Sequence, residues 1–205
     1  MSIGELRHLI MHEASDDVGP QPWQVRSAIS DWILRNDKHA ITPTIVSGMK
    51  AMITAGTLDV PPAGVTLYRG LAVPASSLER WTHMSIPPGQ HHGRWSTGSM
   101  QFSKEGPSSW SLSIAIAAKF ATNLAWVRDR QHRDEPTCAV VVEALSSKND
   151  GNFVDVTSID DRYSEKEVMA IAPVTCSAIR WRLATGTNHF DLDQIAIWQD
   201  ELMSL

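Results

Sequence analysis

The sequence predicts an α+β protein with its helices gathered at the N-terminal end and its strands in the remainder. Three observations carry this. Residues 1–57 place apolar side chains at helical spacing. The run Asp59-Val60-Pro61-Pro62-Ala63-Gly64 then stops helix, because proline lacks the amide donor and fixes φ. Beyond it, short runs of β-formers follow one another, separated by turn residues. At 205 residues, with 42% hydrophobic and 20% charged content, the chain suffices for one well-filled core. The expected organisation is a helical part over 1–60 packed on a core over 61–205, together one compact domain.

Within the first part, Leu6, Leu9, Ile10 and Ala14 mark one apolar face, and Trp23, Ala28, Trp32, Ile33 and Leu34 another. Pro22 suits a first helical turn. A third helix is predicted to begin after Thr42, with Pro43 near its first position, and to end at Gly56. His8 and His12 stand one turn apart but lack a third ligand at useful spacing, so surface or packing histidines are the reading, not metal ligands.

After the Pro-Pro break, residues 65–71 (Val-Thr-Leu-Tyr-Arg-Gly-Leu) read as a strand. Arg69 offers a planar fork of donors for phosphate or carboxylate, and Gly70 admits close approach of a ligand to the backbone. An edge-strand arginine paired with a surface acid fits the same residues. A short helix is expected near 76–84. Residues 85–108, rich in Pro, Gly, Ser and His, read as one long loop, with His91 and His92 exposed in it. Ser108 to Ser113 reads as a strand end leading into a helix, with Ser109 and Ser111 on one face and Ser113 as N-cap. Val140 to Val142 and Phe153 to Val156 give two strands joined by the turn Asn149-Asp150-Gly151. Residues 176–183 form a further strand in which Ile179, Trp181 and Leu183 alternate with Arg180 and Arg182. The tail around Ile195 to Trp198 is compatible with a strand or a helix turn.

Tyr163-Ser164-Glu165-Lys166-Glu167-Val168-Met169-Ala170 opens with two carboxylates and closes in an apolar run. Extended backbone puts residues i and i+2 on one face, so Glu165 and Glu167 would project together. Paired carboxylates suit chemistry in which one group steadies a developing cation while the other handles a proton. A solvated acidic turn before a strand is the bland alternative.

Bulk properties exclude some classes. A net charge of −5 and a pI near 5.9 argue against a nucleic-acid-binding face. Cys138 and Cys176 have neither CxxC spacing nor a zinc pattern, so they read as free core thiols of a reducing compartment. No signal-peptide pattern opens the chain, and no apolar run approaches the roughly 18 residues that span a bilayer, so a cytoplasmic protein away from membranes is expected. Eight tryptophans exceed the usual share; most would pack, and one or two could line a ligand pocket.

Taken in order, the Tyr68-Arg69-Gly70 strand, the Ser109-Trp110-Ser111 strand and Glu165-Lys166-Glu167 resemble the R-S-E constellation of arginine-specific mono-ADP-ribosyltransferases. The toxin-like and phage Mod/Alt-type enzymes belong to that family. The likeness covers residues 65–184 and includes Ala117 and Phe120 in the helix after the serines, and Pro173 after the last strand. It implies a split antiparallel β core, NAD as co-substrate without a metal, and an acceptor protein of the host transcription or translation machinery. Size and N-terminus resemble the phage type most, which implies a host cytoplasm as its location if the protein is phage-encoded.

The resemblance assigns roles residue by residue. Glu167 would bind the nicotinamide ribose and stabilise an oxocarbenium-like state, Glu165 would orient and deprotonate the acceptor arginine, and Ser109, supported by Ser111, would hold Glu167. Arg69 would bind the phosphates and ribose, the Gly70 backbone would read the nicotinamide amide, and Phe120 would lie against the nicotinamide ring. The loop before Glu165, with Tyr163, would choose the acceptor. Trp110 departs from the family's threonine, and alternation points it away from the serines. Arg128, Arg130 and Arg133 are candidates for a second phosphate contact. The alternatives are an NAD glycohydrolase and a non-catalytic binding module on the same fold.

Overall fold

The structure, a computed structural model, describes residues 19–35, 37–98, 100–102, 107–131, 134–159, 167–184 and 192–205. The chain divides into two compact units, Met1–Leu58 and Asp59–Leu205.

In the first unit, helix α1 (Pro22–Arg35) turns Val25, Ala28, Ile29 and Trp32 inward, the 3-4-7 spacing of a single buried stripe. A 3-10 turn (Lys38–Ala40) is capped by Asp37, whose Oδ1 accepts from the His39 amide at 2.9 Å. Helix α2 (Pro43–Thr54) carries Pro43 in its first turn, and Thr42 Oγ1 accepts from the Ile45 amide at 3.3 Å. Gly56, at φ 67°, provides the left-handed exit that ends it. His8 and His12 lie outside the described residues.

The second unit is α+β. Its strands are β1 (Thr66–Pro74), β2 (His92–Ser96), β3 (Gln101–Phe102), β4 (Ser108–Ser111), β5 (Thr137–Leu145), β6 (Phe153–Asp155), β7 (Glu167–Ala170), β8 (Val174–Thr175) and β9 (Ala178–Leu183). Among the described residues three helices accompany them: α3 (Ala75–Thr82), α4 (Ile114–Gln131) and α5 (Leu192–Ser204). All strand pairs are antiparallel, in a seven-stranded sheet of order β2-β9-β5-β1-β4-β7-β6 and a two-stranded β3-β8 ladder.

β1 pairs with β5 along its whole length, but with β4 only where Tyr68 faces Ser111. Past that rung β1 and β4 part. The large sheet therefore consists of a β2-β9-β5-β1 half and a β4-β7-β6 half joined at one point, and the gap between them becomes a cleft.

The two faces of β1 bury different partners. Leu67, Leu71 and Val73 join a core with Trp110, Phe153, Val168, Ile179 and Trp181. Tyr68 and Ala72 meet α4, which presents Ala117, Ala118, Ala121 and Ala125. Small side chains let the helix lie close, and Gly70 completes the fit. A Cβ at Gly70 would stand 2.1 Å from the Ala117 carbonyl oxygen and 2.8 Å from the Ala121 amide nitrogen. Gly70→Ala forces β1 and α4 apart and is expected to cost about 1–3 kcal/mol, read as a lowered urea midpoint at unchanged m-value.

A buried charge network fastens α5 to the sheet. Glu143, 5% exposed, accepts from Arg94 Nε and Nη2 at 3.1 and 3.0 Å and from Arg180 Nε at 2.5 Å. Arg180 Nη1 also donates to the carbonyls of Leu202 and Met203, at 3.1 and 2.9 Å, where the helix leaves its last acceptors unpaired. Arg182 donates to the Glu201 carboxylate and lies 5.5 Å over the Trp198 ring. Burial by itself would raise the Glu143 carboxyl. Hydrogen bonds and charge from both arginines outweigh it and hold the group below the usual carboxylate range. Cys138 and Cys176 are free and buried, and burial pushes both thiols up to about 12.

Several local expectations are corrected. Residues 85–108 are not one loop: they contain β2 and β3 and the start of β4. His92 stands in β2, its Nδ1 3.7 Å from Glu201 Oε1, instead of in a loop. The strands flanking Asn149-Asp150-Gly151 are not hairpin partners; β5 lies inside the sheet and β6 at its far edge. The 176–183 strand begins at Ala178, because the Cys176 amide bonds Met100 and the Ser177 amide bonds Glu143 as the chain crosses between sheets. The tail is helix α5, buried through Ile195, Trp198 and Leu202. Among the described residues no helix is long and apolar enough to cross a membrane.

Candidate active site

The cleft at the sheet divide is lined by Tyr68, Arg69 and Gly70 of β1, Ser109 to Ser111 of β4, Ile116, Ala117 and Phe120 of α4, and Glu167 of β7. Its cavity volume is about 140 Å³, smaller than the roughly 300–1,000 Å³ of typical small-molecule sites.

Strand alternation decides which way each side chain points. Directly opposed residues of an antiparallel pair share a face. Glu167, Ser111, Tyr68 and Glu143 form one cross-strand row over β7, β4, β1 and β5. Ser109 lies on that same face, two residues along from Ser111, and reaches diagonally so that its Oγ donates to Glu167 Oε1 at 2.5 Å. This bond holds the carboxylate at the cleft. Ser111 is buried, and its Oγ accepts from the Ser113 amide at 3.0 Å, shaping the turn into α4. The Ser113 carbonyl accepts the Ala117 amide at 3.2 Å.

Trp110 points to the opposite face. It is 2% exposed, edge-on to Phe102 and Phe153 at 5.8 and 5.7 Å between centroids, and its Nε1 donates to Ser108 Oγ at 3.0 Å. Its bulk serves the core behind the serines.

Arg69 bridges the divide. Its Nη1 donates to the Ser109 carbonyl at 2.8 Å across the gap, and its Cζ lies 5.2 Å over the Phe102 ring. Its Nε is buried without a hydrogen-bond partner. Among the described residues no carboxylate lies within 4.0 Å of it, the distance that defines an ion pair. Burial without a counter-charge pulls the guanidinium down to about 10. The cleft thus holds an under-paired cation and a serine-held carboxylate.

The structure brings Arg69, Gly70, Ser109, Ser111, Phe120 and Glu167 together around this cleft. Phe120 is 45% exposed at its rim. Glu165, Tyr163 and Arg133 lie outside the described residues. Arg128 and Arg130 do not line the cleft; they stand two to three turns beyond Phe120, about 12 and 15 Å along the helix axis. Arg130 instead lies 4.4 Å over the Trp126 ring. Sequence reasoning missed Phe102 as the ring beneath Arg69, because its two-residue strand has no periodicity to read. Tyr68 and Ile116 were also missed as lining residues; the aromatic before Arg69 was the available signal for Tyr68. Among the described residues no group of three or more His, Cys, Asp or Glu is placed to hold a metal ion.

Comparison with protein-family models, with curated proteins and with solved structures finds no match to this chain.

Proposed function

We propose that the protein is a mono-ADP-ribosyltransferase that moves ADP-ribose from NAD to an arginine side chain of an acceptor protein and releases nicotinamide. The observation that carries this reading is the cleft's split polarity: a half-buried guanidinium whose buried Nε has no partner, and a carboxylate held by serine at 2.5 Å. NAD presents the complementary halves, an anionic pyrophosphate and a cationic nicotinamide riboside. The divided antiparallel sheet and the order Arg69, Ser109, Glu167 support the same family likeness.

In this reading Arg69 takes the pyrophosphate, whose charge supplies the missing counter-ion. The glycosidic C1′–N bond breaks with its electron pair leaving on nicotinamide, which neutralises the pyridinium. Positive charge develops on the ribose, and Glu167 stabilises it. An acceptor guanidine nitrogen then forms the bond to C1′ and gives up a proton. Glu165 is the carboxylate assigned to that proton, since a guanidinium is otherwise protonated at neutral pH. Phe120 offers its ring face to the cationic nicotinamide. Host transcription or translation proteins in a host cytoplasm are the acceptors this reading favours.

The test incubates the protein with labelled NAD and a bacterial lysate, following nicotinamide release and protein labelling together. Both are expected; free ADP-ribose alone would make it a glycohydrolase, and no NAD consumption would leave a binding module. Arg69→Met sharpens the test. Removing the charge relieves its desolvation but also gives up the bond to the Ser109 carbonyl and the contact with Phe102, so the fold is expected to be retained while KM for NAD rises at least about tenfold.

A further inference from the structure

Helix α4 is buried on one side by alanines, yet it exposes an apolar row on another. Phe120, Leu124 and Val127 are 45%, 47% and 43% exposed, at i, i+4 and i+7, which aligns them on one stripe about 10 Å long. The row starts at the cleft, since Phe120 is one of its walls. It runs toward Arg130, whose guanidinium is kept in place 4.4 Å over Trp126.

We propose that this stripe seats the acceptor protein. The occupant presents an apolar ridge beside its target arginine, and carboxylates at the far end of that ridge, roughly 15 Å from the part that meets Phe120, to pair with Arg130. The proposal rests on the transferase reading, and two features of the molecule support it. An acceptor arginine that reaches Glu167 brings its own surface against the cleft rim, and α4 is that rim. The exposed charges on α4, Lys119 and Arg130, are both basic, although the whole chain carries −5, so this helix favours an acidic neighbour locally. Leu124 and Val127 line no part of the cleft, so they are available to a macromolecule while NAD is bound.

The experiment uses the full chain and the variant Leu124→Asp/Val127→Asp, which puts two carboxylates on the stripe. Three rates are compared: NAD cleavage without acceptor, ADP-ribosylation of arginine methyl ester, and labelling of lysate proteins. The expected result is a tenfold or greater loss of protein labelling, with the other two rates within twofold of wild type. Unchanged protein labelling overturns the proposal. A parallel loss of all three rates also overturns it, assigning the stripe to NAD binding. If the wild type cleaves no NAD, or cleaves it while modifying neither protein nor arginine methyl ester, the transferase reading itself fails; if it modifies arginine methyl ester but labels no protein, only the acceptor site is lost.

Discussion

Glu167→Gln is expected to lower nicotinamide release by roughly 10²- to 10³-fold in kcat, the usual loss when a group aimed at transition-state charge is removed. Glutamine keeps the length and can still meet Ser109, so the 2.5 Å contact is exchanged for a neutral hydrogen bond and the fold is retained. What disappears is the negative charge beside the ribose. Because that charge matters most when the glycosidic bond is stretched, the loss falls on kcat more than on KM. Steady-state nicotinamide release at several NAD concentrations separates the two, and an unchanged melting temperature excludes a folding defect. If kcat stays within threefold of wild type, the carboxylate is not the stabilising group and the proposed chemistry is wrong.

Glu143→Ala is expected to destabilise the second unit by about 3–5 kcal/mol, since it leaves the Arg94 and Arg180 guanidinium groups without their shared carboxylate. In a chain of 205 residues this lowers the melting temperature by roughly 6–20 °C. The same residue gives the wild type an acid-sensitive step. Its folded carboxyl lies below the usual carboxylate range, so its contribution is fully present above that range and is lost as the pH falls through the lowered folded value. Thermal melts between pH 3 and 7 check both statements: the wild type loses stability over the acid range, and Glu143→Ala shows a flatter profile. Helix α5 should loosen as well, because Arg180 holds the Leu202 and Met203 carbonyls from the same site, and limited proteolysis of the C-terminal segment reports it.

The row from Glu167 through Ser111 and Tyr68 to Glu143 links these predictions through the sheet. One end faces the cleft and the other holds the α5 network. Strand pairing keeps the four residues on one face without requiring contact between the two carboxylates, so the Glu143 variant should impair the fold before the chemistry.

Much of this architecture is legible locally. Thr42 and Pro43 announce α2, the Pro61-Pro62 break precedes β1, and alternation in β4 separates Ser109 and Ser111 from Trp110. Those signals depend on φ, capping and the period of two, which neighbouring residues decide. The α+β class follows from them. Strand order does not: β2 pairs with β9 and β3 with β8, partners more than 70 positions apart, and strands of five and two residues carry too little periodicity to stand out from the loop around them. Gly70 shows the same division. The sequence by itself indicates a place where a backbone comes close, while the tertiary structure shows that the α4 backbone fills the space a Cβ would take. The sequence likewise presents Arg69 as a donor fork suited to an anion or to a surface acid. Its burial, its reach to the Ser109 carbonyl and its lack of a carboxylate among the described residues arise only because β1 and β4 separate after one rung, a packing outcome that no local pattern encodes.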